Sequence, residues 1–223
     1  MTHPRSGQIV FGSCIACLIF SFSSIFAPTA SAQSVGPQGM NLVCPLVEHE
    51  SLRHLEDSRF GMELLENEYR ARLKIFEMIE KLWLARSIEQ EAYLDYKRLR
   101  DRTKARIARS ETEIAQRSSM STQYALVCAQ VRGEVIDEIK KKVEELQAEY
   151  RRLDCELLDR DSAIAEVDYE FDRAILKATR TLAERNIKSR YELVLDEYDL
   201  SQSKARFDSF RTRAKMCKKQ LTE

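Results

Sequence analysis

The stretch from Lys140 to Arg160, KKKVEELQAEYRRLDCELLDR, sets the architecture, because it places a cysteine in a strongly charged but regularly spaced segment. Apolar residues recur there at alternating steps of three and four, and the pattern extends to both sides. It predicts one continuous helix with a coiled-coil-like seam across the stretch, interrupted at Arg160 alone. The seam consists of Ile136, Ile139, Val143, Leu146, Tyr150, Leu153, Leu157, Ile164, Val167, Phe171, Ala174 and Ala178.

Helix-breaking residues are almost absent from the rest of the chain. All four prolines lie in the first 45 residues, and Gly133 is the one glycine after Met62. Charged residues make up 32% of the sequence, and high charge with regular apolar spacing is typical of long helices rather than of disorder. The sequence therefore predicts an all-α fold, an elongated antiparallel bundle of three or four long, partly coiled-coil helices.

The N-terminal segment has the order of a secretory signal peptide. Arg5 precedes an apolar run from Ile9 to Ala27, and small residues at Ala30 and Ala32 offer a cleavage site. We expect a signal peptide over residues 1–32, a flexible linker over 33–45 and a helical bundle over 46–223. The alternative is an uncleaved anchor, since the apolar run is just long enough to span a bilayer. Membrane contact is expected through this segment alone, and only if it stays uncleaved.

Four cysteines remain after the predicted cleavage, namely Cys44, Cys128, Cys155 and Cys217. An even number in an exported chain predicts two disulfides. A bond between antiparallel helices requires a turn near the midpoint of its two cysteines, and the midpoint of 155 and 217 is Asn186. Asparagine tolerates the left-handed conformation at a helix end. Ser189 and Glu192 then form a capping-box pattern for the next helix.

The same argument pairs Cys44 with Cys128, because Ser87 and Gln90 form a second capping-box pattern beside their midpoint. Another reading continues the helix through Ser87 and turns the chain near Ser119, which leaves Cys44 to find another partner such as Cys217. The pairing of 44 with 155 and of 128 with 217 has weak stop signals, or none, at its midpoints. We therefore predict Cys44–Cys128 and Cys155–Cys217, each clamping a helical hairpin.

Cys155 lies off the main seam of its helix but on a second apolar stripe. That stripe indicates a helix that packs against two neighbours, one of which carries Cys217. We expect the thiol to tie these two helices together. The other members of the stripe are Ala148, Tyr169, Leu176 and Ala183.

Patterns that resemble catalytic or metal sites fail on spacing. His49 and His54 are five residues apart, which turns the second imidazole away from the first on a helix. The run from Asp159 to Glu170 lacks the central glycine of a calcium loop. Glu-x-x-His pairs, nucleophile elbows and phosphate-binding loops do not occur in the sequence. We expect no catalytic, metal or cofactor site and no enzymatic activity.

Trp83, the single tryptophan, lies on an apolar stripe of its own predicted helix. Helical spacing of this kind is typical of ordinary packing between helices. The alternative is that the indole anchors a ligand or a partner. The other members of the stripe are Met62, Leu65, Tyr69, Phe76 and Ile79.

The formal net charge is zero, with 36 basic and 36 acidic residues interleaved, so nucleic-acid binding has no electrostatic basis. The first functional hypothesis is a non-enzymatic structural or scaffolding protein, exported to the periplasm or the exterior, that contacts itself or another envelope protein through its helices. The alternative is a periplasmic chaperone-like or secretion-accessory binding module. A membrane-active secreted protein is a third, less favoured possibility.

Overall fold

The computed structural model of the protein describes residues 37–133 and 136–222. Four long α-helices and no strands make up these residues, which confirms the predicted all-α bundle. Helix α1 spans Pro37–Leu84, α2 spans Gln90–Val131, α3 spans Ile136–Glu184 and α4 spans Arg190–Thr222. The predicted signal peptide and residues 33–36 of the predicted linker lie outside the described residues.

Helix α1 begins earlier than the sequence pattern indicates, so that residues 37–45 of the expected linker are helical. Pro37 suits the first turn of a helix, where its missing N–H would have no partner. Pro45 lies inside the helix and removes one backbone hydrogen bond there. The neighbouring Cys44 is bonded to Cys128, which holds this part of α1 against α2.

The first hairpin turns between Leu84 and Gln90, as the midpoint argument predicts, and the segment around Ser119 is part of α2. Arg86 takes a left-handed conformation with φ of 55°, and the Ser87 N–H donates to the Leu82 carbonyl at 2.8 Å. The predicted capping box of Ser87 and Gln90 is wrong. Because α2 begins at Gln90, its N-cap is Glu89, which makes no side-chain cap, and the Ser87 hydroxyl donates to the Ala85 carbonyl at 3.4 Å instead.

The second predicted turn has the expected chemistry. Asn186 is left-handed with φ of 57°. The Ser189 N–H donates to Glu192 Oε2 at 2.8 Å, and the Glu192 N–H donates to Ser189 Oγ at 3.2 Å. These two bonds form the reciprocal capping box at the start of α4.

The four helices form an open antiparallel array in which each packs against its neighbours in the chain. Within the described ranges, no Cα atom of α1 lies within 8 Å of α3 or α4, and none of α2 lies within 8 Å of α4. A closed bundle would bring the first helix onto the last. Helices α1 and α4 are therefore the two edges of the array, and each is covered on one side.

The buried residues are mostly small or polar, as expected for a thin array with two-helix contacts. The larger buried side chains, all on α1 and α3, are Leu55, Phe76, Ile139, Leu153 and Leu176. Several polar groups are also buried between the helices. An open array whose contacts are partly polar buries fewer large side chains than a closed core does. The buried polar residues are Thr103, Thr112, Gln116, Ser119, Asp168, Thr179 and Ser203.

Candidate interaction surface

Two disulfides fix the hairpins from which the array is built, and the predicted pairing is confirmed. The Cα atoms of Cys44 and Cys128 are 5.5 Å apart, and those of Cys155 and Cys217 are 5.4 Å apart. Disulfides of this kind form and persist in oxidising, exported environments. Among the described residues, no helix is both long and apolar enough to cross a membrane.

Aromatic side chains join α1 to α2 near their turn. Trp83 stacks on Tyr93 with ring centroids 5.3 Å apart, and Phe76 lies 5.7 Å from the same ring. The guanidinium of Arg100 sits over the Phe76 ring at 3.9 Å. This cluster covers the inner face of α1 near the turn, where Phe76 and Trp83 of the predicted apolar stripe take part in helix packing.

Polar pairs join α2 to α3 along the middle of the array. Arg98 Nε donates to Asp168 Oδ1 at 2.9 Å, and Arg109 Nε donates to Asp161 Oδ1 at 2.6 Å. Burial alone would raise the pKa of Glu113, but hydrogen bonds and charges from Arg117 and Arg109 outweigh it and lower that pKa. Glu113 therefore stabilises α2 in its ionised form, and its partner Arg109 in turn reaches Asp161 of α3.

The contact between α3 and α4 combines one aromatic stack with ion pairs. Tyr169 of the predicted second stripe stacks on Phe207 with centroids 5.8 Å apart. Arg180 and Glu197 approach to 3.3 Å, and Lys218 pairs with Asp159. Together with the disulfide at Cys155, these contacts tie the second stripe of α3 to α4, as the sequence predicts.

Large exposed apolar side chains concentrate on the two edge helices. Among the residues whose burial is described, nine lie on α1 and five on α4, whereas none lies on α3. Contiguous exposed apolar surface marks a site of interaction more often than scattered single residues do. The edges of the array, and α1 above all, are therefore the candidate site.

Seven of these side chains on α1 form one stripe, which we call the outer stripe. At 100° per residue they fall within an arc of about 100° that runs for about 60 Å along the helix. Cys44, Leu55 and Phe76, which are buried, lie on the opposite side of α1. The outer stripe thus faces away from α2, and its members are 39–62% exposed. They are Val43, Leu46, Phe60, Leu64, Ile75, Met78 and Leu82.

Two segments without large apolar side chains separate the groups of the outer stripe; their six residues continue the heptad spacing of Leu46, Phe60, Leu64 and Met78, and all six are exposed. We call them the acidic segment and the basic segment, after their net charges. Within the described residues, the charged groups of Arg53, Asp57 and Lys74 make no hydrogen bond or ion pair, whereas Glu50 is within 3.6 Å of His54. Glu50, Arg53 and Asp57 form the acidic segment; Asn67, Ala71 and Lys74 form the basic segment.

The outer face of α4 is shorter and less continuous. Tyr191, Val194 and Tyr198 are exposed on its first turns, and Met216 follows about five turns later on the same side. This face provides one local apolar patch, whereas α1 provides a surface along most of its length.

The two histidines whose pattern resembles a metal site belong to no cluster of metal-binding groups within the described part of the chain. His49 and His54 are both exposed on α1. In the described ranges, no three side chains of His, Cys, Asp or Glu are placed to hold a metal ion. Comparisons with models of protein families, with curated proteins and with solved structures find no match for this chain.

The outer stripe is missing from the sequence-based predictions, which assign the apolar residues of α1 to a single packed face through Met62, Leu65 and Phe76. The signal was present in the sequence. Leu46 and Phe60 are two heptads apart, as are Leu64 and Met78, on the side opposite that face.

Proposed function

We propose that the protein is a non-enzymatic structural or scaffolding protein of the cell envelope, acting in the periplasm or outside the cell through helix-to-helix contact with another protein chain. The observation that carries this proposal is the outer stripe of α1. A helix with two apolar stripes packs against two neighbours. The first neighbour of α1 is α2, and the second is supplied by another chain.

The composition of the outer face favours a protein partner over a lipid surface. Glu50, Arg53 and Asp57 lie in line with Leu46 and Phe60 and share the same exposed face. Embedding this face in lipid would bury their charges at high cost. A second helix can accommodate the alternation, because its own charged groups can pair with them.

The two disulfides support the same role. Each clamps the end of a hairpin and holds an edge helix against a central helix, so the outer faces are presented on a rigid frame. A surface held rigid before binding loses less conformational freedom on association. The bonds also agree with action in an oxidising compartment, which is where envelope partners reside.

A photocrosslinking experiment in cells that export the protein tests this proposal. A photoreactive amino acid is placed at Phe60 in the outer stripe, and in a matched control at Leu52, which is 53% exposed on the same helix but off the stripe. We expect abundant adducts with protein from position 60 and few from position 52. Equal adducts from both positions, or none from either, would refute a specific helix-to-helix role for this face.

A further inference from the structure

Four of the seven residues of the outer stripe of α1 are placed symmetrically about its middle. Its apolar residues form three groups separated by the acidic and basic segments, with Phe60 and Leu64 as the central group. About a centre at residue 62, Leu46 is the counterpart of Met78, and Phe60 is the counterpart of Leu64. A surface with this symmetry is complementary to itself when a second copy runs in the opposite direction, which is the requirement for a two-fold interface.

We infer that the partner of the outer stripe is a second copy of this chain, packed antiparallel through α1 with the two-fold axis at residue 62. This inference rests on the proposed function, since it names the partner of the same surface. In this arrangement Leu46 packs on Met78 of the second copy, and Phe60 packs on Leu64 of the second copy. Each apolar group meets another apolar group, and the acidic segment of each copy meets the basic segment of the other.

Charge selects the antiparallel direction. The acidic segment carries one net negative charge and the basic segment carries one positive charge, on Lys74. Antiparallel packing brings these two segments together twice and sets Glu50 against Lys74 of the second copy. Parallel packing in the same register would instead set each segment against its own copy, with Lys74 beside Lys74 and Glu50 beside Glu50. Like charges in these positions oppose association.

The remaining positions of the two segments are also compatible with the antiparallel register. About the centre at residue 62, Arg53 is the counterpart of Ala71, and Asp57 is the counterpart of Asn67. The small side chain of Ala71 leaves room for the long side chain of Arg53, and the Asn67 amide can donate to the Asp57 carboxylate. No two like charges meet at these symmetry-related positions.

Gly61 provides an independent observation at the centre of this interface. Glycine inside a helix is destabilising relative to alanine, so its presence requires a reason. Within the single chain there is no steric one, because a Cβ at this position would meet no atom within 4 Å. Gly61 forms, together with Asp57, Phe60 and Leu64, a four-residue hole of the kind that receives a side chain in helix packing. The missing Cβ makes room there for Leu64 of the second copy.

Sedimentation equilibrium of the purified mature protein measures the dissociation constant of the dimer for wild type and three charge variants. Glu50→Lys and Lys74→Glu each place like charges opposite each other at both symmetry-related contacts, and we expect each to weaken the dimer about tenfold. The double variant restores opposite charges and should return close to wild type. Additive weakening in the double variant would overturn the proposed register.

The Gly61→Leu variant tests dimerisation separately from folding. A Cβ at residue 61 meets no atom within 4 Å in the single chain, so far-UV circular dichroism should be unchanged, whereas the filled hole should weaken the dimer about tenfold or more. A variant that dimerises as well as wild type would overturn the placement of residue 61 at the interface.

Photocrosslinking with a probe at Leu46, in a mixture of isotopically light and heavy chains, fixes the direction. We expect adducts between chains that map to the neighbourhood of Met78. Adducts to the neighbourhood of residue 46, within one chain, or to α4 would each overturn the antiparallel dimer. The purified protein could stay monomeric although the probe at Phe60 gives more protein adducts in cells than the probe at Leu52. That result would overturn the second copy as the partner and leave the scaffold proposal standing.

Discussion

At the scale of single residues, the two hairpin turns solve the same conformational problem with different residues. Asn186 and Arg86 both take positive φ at the end of a helix. Asparagine tolerates that region, whereas a long side chain such as arginine is strained there. The first turn therefore carries a backbone strain at Arg86 that a substitution can relieve.

Replacing Arg86 with glycine should stabilise the protein. We expect Arg86→Gly to raise the free energy of unfolding by about 1 kcal/mol, because glycine reaches positive φ without a Cβ clash. Urea unfolding followed by circular dichroism measures the change. Glu80→Gly, at an exposed position inside α1, is the control and should lower the same quantity by about 1 kcal/mol. A loss of stability in both variants would contradict the conformational explanation.

Glu113 makes α2 sensitive to acid, because it pairs with Arg109 and Arg117 of the same helix. Its pKa is below the ordinary value of 4.5, so its ionised form stabilises the fold at neutral pH, and this contribution is lost as the pH falls through the folded-state pKa. We expect Glu113→Gln to unfold at lower urea concentration than wild type at neutral pH, with a smaller difference in acid below the folded-state pKa. Glu111→Gln, at an exposed neighbouring position, should match wild type in both conditions. A difference for Glu113→Gln that persists undiminished in acid would contradict this linkage.

At the scale of helices and hairpins, each of the four described helices contacts only its neighbours in the chain, so the stability of each helix depends mainly on those neighbours. Helix α4 packs on α3, and α1 packs on α2, so each edge helix is held by one neighbour and one disulfide. Arrays of this kind distribute their stability between neighbouring elements, as repeat proteins do.

Removing one disulfide should therefore loosen one edge of the array. The bonds span 84 and 62 residues, and the loop-entropy relation gives about 4 kcal/mol for each. In the Cys155→Ser/Cys217→Ser variant, we expect faster hydrogen exchange in α4 and the adjoining part of α3, with α1 unchanged. The Cys44→Ser/Cys128→Ser variant is the matched control and should loosen α1 instead. Equal loosening of all four helices in either variant would show a cooperative core.

The helices and the turns between them are largely predictable from the sequence. The seam through Ile139 and Leu153 defines α3, and the midpoint argument finds both turns because antiparallel helices of equal rise bring cysteines together symmetrically. The box at Ser189 and Glu192 forms as expected, whereas Ser87 does not cap α2. A capping pattern alone cannot say where a helix begins when the neighbouring Glu89 serves as N-cap without a side-chain bond.

At the scale of the whole molecule, the sequence pattern does not determine whether four helices close into a bundle. Heptad seams specify which faces are apolar, and they suit a closed core or an open array with a partner equally well. The outer stripe of α1 becomes recognisable only when the order of the helices places α1 at an edge. That position leaves Phe60 and Leu64 exposed, where a closed bundle would bury apolar residues of their spacing.

Association through the outer stripe of α1 is the claim on which the other proposals depend. Leu64→Glu places a charge at the centre of the stripe, whereas Leu52→Glu places the same charge on the same helix at a position of nearly equal exposure, 53% against 54%. Both substitutions are on the surface, so both variants should fold. They differ in the face of α1 that they alter.

Light scattering over a dilution series gives the molar mass of the purified wild type, Leu64→Glu and Leu52→Glu proteins. We predict a dimer for wild type and Leu52→Glu, and a monomer for Leu64→Glu with unchanged helix content. The same mass for all three proteins at every concentration would contradict self-association through the outer stripe.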